Sequence, residues 1–412
     1  MSPTLCLVQR RLLLIPVLVA ALFASACSYD PVDTASASGD AASESASSSV
    51  ESDTSTTSTT TEAPPDTDAA DTDAAATDES TTEAPTTDAP ADEEPDTEAT
   101  EGEEAASEAA VAVDYGPPAS LVADCSAVGS VSVGLGTGTV NSGNVTYTYQ
   151  WTVPSTYDGT PIPVVLDFRG IGSSGAEQAF FGGWAAKAEA EGFLAVQPTG
   201  TSVPGDDRAS WELPQFETDD RDDIAFVIDL LDHVAQSVCI DPARVYATGM
   251  SNGGLFTSTL VCSLSQRIAA AVSVAGVTHH ETCEPVRAVP YLAFHGTDDT
   301  VVPYSGGGES TLSGADGSSE FFEQVMPDEF AEFASSFNCD SSTDEAITPE
   351  VTLRSYSGCD DDVPVGFYTI TGGGHTWPGS PVSAAIASLG VTNMDISATD
   401  VAWEFFQQHA LG

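Results

Sequence analysis

The sequence predicts an α/β domain, a mostly parallel twisted sheet with helices on both faces, preceded by a disordered acidic stalk. Three observations predict it. From about residue 145 onward, short apolar or alternating runs recur with helix-like stretches between them, the pattern of strands joined by crossover helices. One of these strands runs into Gly249-Met250-Ser251-Asn252-Gly253-Gly254 and from there directly into a helical stretch. The composition also breaks near residue 114, and from Ser28 to that point Ser, Thr, Ala, Asp, Glu and Pro displace almost every large apolar residue.

Taken in order, the chain opens with Arg10 and Arg11, an apolar run from Leu12 to Phe23, and the small residues Ala24-Ser25-Ala26. These three zones make residues 1–26 an expected export signal, cleaved near Ala26. The apolar run is shorter than the roughly 20 residues a membrane-spanning helix needs. Cys27 follows the cleavage site directly and is the lipidation candidate, where a lipoprotein signal would carry its acyl anchor. Ordinary cleavage without lipid is the other reading, and the arginine pair leaves the general and twin-arginine export routes both open.

Residues 27–114 lack Lys and Arg and carry one sign of charge. Too little apolar surface is available there to oppose chain entropy, so the segment is expected to stay disordered and extended by self-repulsion, a tether or stalk. Residues 115–412 are the right length for one large α/β catalytic domain, and the reading leaves no space for a further binding module after it.

Within that domain the strands are expected at Val145 to Val153, which alternates like an edge strand, and Ile162 to Phe168, a continuous apolar run suited to a buried one. The glycine-rich turn Gly170-Ile171-Gly172 and a helix over about Glu177 to Glu191 follow. The next strand is Phe193 to Gln197. The acidic cluster before residue 224 opens a helix over about Asp222 to Val238, with Asp222 and Asp223 read as capping residues at its positive dipole end. Arg244 to Thr248 leads into the Ser251 turn and a helix through about Leu264. Strands near Ala269 to Val274, Val289 to Phe294, Val351 to Tyr356 and Phe367 to Ile370 come next, and a helix from Ala398 to His409 closes the domain.

The charge excludes some partners. With 63 acidic and 10 basic residues the formal net charge is −53, which repels phosphate backbones and anionic lipid heads and argues against nucleic-acid binding. Six cysteines fall in the domain: Cys125, Cys239, Cys262, Cys283, Cys339 and Cys359. In an exported chain an even number suggests three disulfides, and no spacing among them resembles a zinc site. Six cysteines allow 15 pairings. Local proximity favours Cys262 with Cys283 and Cys339 with Cys359, which leaves Cys125 with Cys239.

The motif Gly-x-Ser-x-Gly is weak by itself, but here a strand leads in and a helix leads out, the arrangement that exposes a nucleophilic serine on a strained turn. A serine hydroxyl needs a base to take its proton and a carboxylate to orient that base. His375 stands in Gly372-Gly373-Gly374-His375-Thr376-Trp377-Pro378-Gly379, just past a strand, and is the expected base. His233, His279, His280, His295 and His409 lack that combination of order and glycine-rich loop. Asp299, in a loop just past another strand, is the expected orienting acid, with the neighbouring Asp298 as its rival and a turn cap as the ordinary role for either.

The backbone amides of Asn252 and Ile171 are expected to bind the negatively charged oxygen of the reaction intermediate. A phosphate-binding reading of Gly170 to Gly175 fails because no Gly-Lys-Ser/Thr follows. Trp377 is expected to line the substrate pocket. Trp151, Trp184 and Trp403 read as core aromatics, and Trp211 is left undecided.

The phrases IDPARVYATGMSNGG from Ile240, AVPYLAFHGTDDTVVPYSGG from Ala288 and GGGHTWPG from Gly372 resemble the polyhydroxybutyrate depolymerase and feruloyl esterase group of the α/β-hydrolases, over roughly residues 120–412. The resemblance implies the α/β-hydrolase fold and hydrolysis of esters through an acyl-serine. It implies Ser251, Asp299 and His375 as the catalytic triad, with no metal and no organic cofactor. It also favours Asp299 over Asp298. The implied substrates are polyhydroxybutyrate-type polyester or its oligomers, or feruloyl and acetyl esters of polysaccharide. A serine peptidase of the same fold and a catalytically dead, stalked surface-binding protein are the rival readings. One departure stands out: Arg169 occupies a position where the group usually carries histidine. The long acidic insertion between Ser305 and Val325 is expected to form a lid or rim.

Overall fold

Among the described residues of a computed structural model of the chain, twelve strands and six helices of seven residues or more carry the fold. Residues 115–118, 123–202, 208–213, 221–280, 283–307 and 325–412 are described, all within the unit spanning residues 100–412. The export signal, Cys27, the stalk and most of the insertion after Ser305 lie outside the described residues.

The strands are β1 (Gly134–Ser142), β2 (Val145–Val153), β3 (Ile162–Phe168), β4 (Leu194–Pro198), β5 (Thr201–Ser202), β6 (Ala209–Ser210), β7 (Ile240–Met250), β8 (Ala270–Val274), β9 (Tyr291–Gly296), β10 (Ser341–Ala346), β11 (Val351–Ser357) and β12 (Val365–Ile370). The helices are α1 (Gly175–Phe181), α2 (Trp184–Glu191), α3 (Asp223–Val234), α4 (Asn252–Ser263), α5 (Met326–Ser336) and α6 (Ala398–Phe406).

Ten strands form one sheet in the order β1-β2-β4-β3-β7-β8-β9-β12-β11-β10, while β5 and β6 pair as a separate ribbon. From β4 through β12 the central strands run parallel, and β1, β2, β11 and β10 flank them antiparallel. This is the α/β-hydrolase topology that the sequence resemblance implies. Its consequence for function is geometric: the C-terminal ends of β3, β7, β9 and β12 all meet one edge, so the loops that follow them share that edge.

Side chains alternate across the sheet into two cores. From β3, Val164, Leu166 and Phe168 enter the core beneath α3, α4 and α5, with Phe226, Phe256 and Phe330. Val165 enters the opposite core, with Trp184 of α2 and Trp403 and Phe406 of α6. Burial of an aromatic ring this size contributes on the order of 2–3 kcal/mol, and together these layers dominate the fold's stability.

Several expectations are corrected. β2 is not an edge strand, because β1 lies outside it. The stretch read as one helix is two, broken at Gly182-Gly183, where Gly183 takes φ 66°. The helix from Asp223 ends at Val234, and the final helix at Phe406, short of the predicted ends. Asp222 does cap α3, accepting from the Ala225 amide at 2.7 Å, but Asp223 is not a cap. It is buried, and it accepts from the Tyr147 hydroxyl at 2.6 Å and the Glu212 amide at 2.7 Å. The three cysteine pairs favoured by the sequence, Cys125–Cys239, Cys262–Cys283 and Cys339–Cys359, are all present as disulfides.

Candidate active site

Ser251 sits at the junction of β7 and α4 with φ 58° and ψ −126°, a conformation that costs a non-glycine residue of order 1–3 kcal/mol and persists only where surroundings enforce it. They do. The Ser251 amide donates to Val274 O at 2.9 Å, and its carbonyl accepts from Leu255 N at 2.9 Å. On either side, a Cβ at Gly249 would strike Gly253 and the Phe168 carbonyl, and a Cβ at Gly253 would strike the same carbonyl. Those glycines are what let the strand fold back into its helix against β3. Only 4% of the Ser251 surface remains exposed.

His375 and Asp299 are brought together in the loops after β12 and β9. His375 Nδ1 lies 2.8 Å from Asp299 Oδ2, and the pair is buried. The other oxygen, Asp299 Oδ1, accepts from the amides of Val301 at 2.8 Å and Val302 at 2.9 Å. His295 adds a third contact, its Nε2 standing 3.4 Å from Asp299 Oδ2 and 2.8 Å from Val302 O. Burial by itself would push the Asp299 carboxyl up. The hydrogen bonds from His295 and His375, with their charge, more than offset burial and hold it well below the usual carboxylate range. Asp298, by contrast, is exposed and accepts from the Thr297 hydroxyl at 3.2 Å.

With Nδ1 directed at a carboxylate, the neutral ring carries its proton there, and Nε2 is left as the basic atom. Among the described residues no hydrogen bond joins Ser251 Oγ to that ring.

The expected oxyanion donors flank the serine. Asn252 is the first residue of α4, a position whose amide has no partner inside a helix. The Ile171 amide likewise makes no backbone hydrogen bond among the described residues. Gly170 packs so closely that a Cβ there would stand 3.2 Å from Ser251 Cβ.

Two residues whose sequence reading was incomplete belong to this neighbourhood. Trp211, undecided from the sequence, is buried, donates its amide to Asn252 Oδ1 at 2.7 Å, and receives Asn252 Nδ2 at its carbonyl, 3.3 Å away. Its indole nitrogen donates to Arg169 O at 3.0 Å. His295, set aside as merely the start of a loop, supports the acid; its position four residues before Asp299 was the signal available.

Trp377 departs from its expected role. It is 1% exposed, donates from its ring nitrogen to Thr399 Oγ1 at 2.9 Å, and packs in the core with Trp184 and Trp403. It also lines a cleft of about 460 Å³ with Phe181, Pro378 and Asp400, whose walls include none of Ser251, Asp299 and His375. Of the remaining histidines, His279 contacts Ser336 Oγ at 2.8 Å and His233 packs edge-on to Tyr149. Cys262, His280 and Cys283 bring three metal-ligand atoms within 4.8 Å of one another, but the two sulfurs are already bonded together. Among the described residues no helix is long and apolar enough to cross a membrane.

Comparison with known proteins places similar sequences among esterases. The prolyl oligopeptidase family matches residues 193–287. Feruloyl esterase B of Piromyces equi is 33% identical over 161 residues, 38% of this chain and 29% of that one. Putative esterase NocK of Nocardia uniformis subsp. tsuyamanensis is 29% identical over 268 residues, 61% of this chain and 75% of that one. The bifunctional acetylxylan esterase/xylanase XynS20E of Neocallimastix patriciarum is 26% identical over 55% of this chain and 30% of its own length. The chain thus spans less than a third of the Piromyces and Neocallimastix enzymes and three quarters of the Nocardia protein. Among solved structures, acetyl xylan esterase from Aspergillus awamori aligns with TM-score 0.44 and 16% identity, over 63% of this chain and 94% of that one.

Proposed function

We propose that this chain, which belongs to the α/β-hydrolase superfamily and resembles esterases within it, is an exported serine hydrolase of carboxylic esters. The observation that carries the reading is a serine in a strained turn at a helix N-terminus, on the same sheet edge as a buried histidine–carboxylate pair.

In this reading Ser251 Oγ attacks the ester carbonyl as His375 Nε2 takes its proton. The resulting tetrahedral oxyanion is received by the amides of Asn252 and Ile171. Collapse expels the alcohol, which leaves with the proton from His375, and an acyl-Ser251 remains. Water, deprotonated by the same imidazole, then attacks the acyl group, and collapse releases the acid as the proton passes from His375 to Ser251 Oγ. Asp299 holds the ring in the required tautomer and steadies its positive charge at each transfer. No step calls for a metal or organic cofactor.

The substrate class we propose is feruloyl or acetyl esters of polysaccharide, supported by the names of the Piromyces and Neocallimastix relatives. Polyhydroxybutyrate-type polyester or its oligomers is the second ester class, implied by the resemblance of the phrases around Ser251, Asp299 and His375 to a group that includes polyhydroxybutyrate depolymerases. A peptidase reading draws on the prolyl oligopeptidase match over residues 193–287, since a triad does not itself distinguish amide from ester. We further propose that residues 1–26 direct export and that the acidic segment to residue 114 tethers the enzyme, with Cys27 as the acylated anchor.

A fluorophosphonate probe tests the nucleophile: it should label the wild type and fail to label Ser251→Ala. Turnover of methyl ferulate, acetylated xylan, hydroxybutyrate trimer and peptide anilides then separates the substrate classes. Labelling that survives in Ser251→Ala would refute the mechanism.

A further inference from the structure

Arg169 stands at the C-terminal end of β3, one residue before the oxyanion loop, and none of its surface is exposed. A buried guanidinium is strongly unfavourable unless its N–H groups find acceptors. Arg169 Nε and Nη1 find three backbone carbonyls, while Nη2 has no hydrogen-bond partner among the described residues. Its Nε donates to Thr199 O at 3.2 Å, and its Nη1 donates to Gly170 O and to Ala209 O, each at 2.6 Å. The guanidinium carbon lies 5.6 Å from the centre of the Trp211 ring, over its face.

The bond to Gly170 O is the informative one. That oxygen and the Ile171 nitrogen belong to the same peptide group, whose C=O and N–H point in opposite directions in one plane. An anchor on the oxygen therefore sets where the hydrogen points. A charged donor on the oxygen also polarises the group and makes its N–H a stronger donor. The Ile171 N–H has no backbone partner among the described residues, so its direction is set from the carbonyl side, where Gly170 O accepts from Arg169 Nη1 at 2.6 Å and, at longer range, from the Ser173 amide at 3.3 Å.

The same guanidinium ties this loop to its neighbours. Gly172 N donates to Ala209 O at 2.9 Å, so Arg169 and the loop share that acceptor. Trp211, two residues further on, holds the Asn252 side chain through its own backbone. Both candidate oxyanion donors thus hang from one frame.

We propose that Arg169 is a positioning residue for oxyanion stabilisation, fixing and polarising the Gly170–Ile171 peptide so that its N–H faces the tetrahedral intermediate. The histidine that the resembling group carries here has at most two N–H donors and is only fractionally charged near neutral pH. Arginine offers five donors in a rigid fork and stays charged. Burial lowers its pKa to about 10, still above neutrality.

This inference rests on the serine-esterase reading. Its test compares wild type with Arg169→Met and Arg169→Lys, measuring kcat and KM on p-nitrophenyl acetate, affinity for phenylboronate as a tetrahedral adduct, and Tm. In Arg169→Met, kcat should fall roughly 10²- to 10³-fold, the loss seen when one oxyanion donor is removed, with KM changed less than about threefold. Phenylboronate affinity should weaken by a comparable factor. If Arg169→Met does not fold, Arg169→Lys carries the test: it keeps the charge but not the fork, and kcat and boronate affinity should fall together by about tenfold or more. Unchanged boronate affinity in a folded variant, or a loss confined to KM or Tm, overturns the proposal. Ester turnover by the wild type separates the two readings: its absence refutes both, whereas its presence beside an equally active folded variant refutes only the role of Arg169.

Discussion

At Ser251 the chain holds a non-glycine residue at φ 58°, and the glycines around it are the reason it can. Ser251→Ala removes the proposed nucleophile and leaves that backbone framework in place, so kcat should fall roughly 10⁴-fold or more while the far-ultraviolet circular dichroism and Tm stay near wild type. His375→Ala should do the same. Wild-type turnover in either variant would contradict the assignment. Asp299 makes a pH-dependent prediction. Its folded-state pKa is depressed below the 3.8 of a free carboxyl, so it contributes stability that is present above that value and lost as the pH falls through the folded pKa. The stability gap between wild type and Asp299→Asn should therefore close as the pH falls below about 4; a gap unchanged between pH 4 and 3 would contradict it. Ser251, His375 and Asp299 were legible because motif, order and loop chemistry agreed. The frame of Arg169, Trp211 and Asn252 was not, since it joins residues up to 42 positions apart through backbone atoms that carry no sequence signal.

At the scale of elements, patterning succeeded where a strand or helix buries its own side chains and failed elsewhere. β1 reads GLGTGTVNS, and a Cβ at Gly136 or Gly138 would collide with the rings of Trp151 or Tyr149 on β2. The strand is covered by its neighbour's aromatics, so its own sequence shows no apolar alternation. β10 is exposed along its whole length and carries Asp344 and Glu345, as suits a sheet edge that must not pair with another chain. The break between α1 and α2 is marked in the sequence only by the Gly182-Gly183 pair, with Gly183 at φ 66°. Glycines at two junctions should respond differently to substitution. Gly183→Ala meets open space and only the strain of positive φ, about 1–2 kcal/mol in a denaturant titration. Gly253→Ala drives a methyl group into the Phe168 carbonyl, so the loss should be clearly larger and should extend to fluorophosphonate labelling. Equal losses would mean that the Ser251 turn is not a close-packed crossing. Within β3, buried Asp167 has its carboxyl pushed well above the usual range by burial, although Gln178 Nε2 donates to it at 2.8 Å. A raised carboxyl pKa gives stability that is present in acid and lost as the pH rises. Asp167→Asn keeps an acceptor for Gln178, and its stability relative to wild type should improve steadily above about pH 4; no change between pH 4 and 7 would contradict the shift.

At the scale of the whole molecule, the three disulfides differ in what they constrain. Cys125–Cys239 spans 114 residues and ties the segment before β1 to the start of β7, whereas Cys262–Cys283 spans 21 and Cys339–Cys359 spans 20. In the chain-entropy view a bridge acts mainly on the unfolded state, by about 5 kcal/mol for a loop of the first size and about 3 kcal/mol for the smaller ones. The charge within that loop works in the same direction, 15 acidic against 4 basic residues between Cys125 and Cys239, because self-repulsion favours expanded chains and a long cross-link limits that expansion. Replacing Cys125 and Cys239 together by alanine should therefore cost about 1–2 kcal/mol more than replacing Cys262 and Cys283. The excess should shrink in high salt, where screening leaves less repulsion for the bridge to oppose. Denaturant midpoints of the two double variants at low and high ionic strength measure both effects. If the Cys262–Cys283 variant proves the weaker one at both salt concentrations, packing around those buried sulfurs outweighs loop entropy, and the native core becomes the better account of what these bridges do.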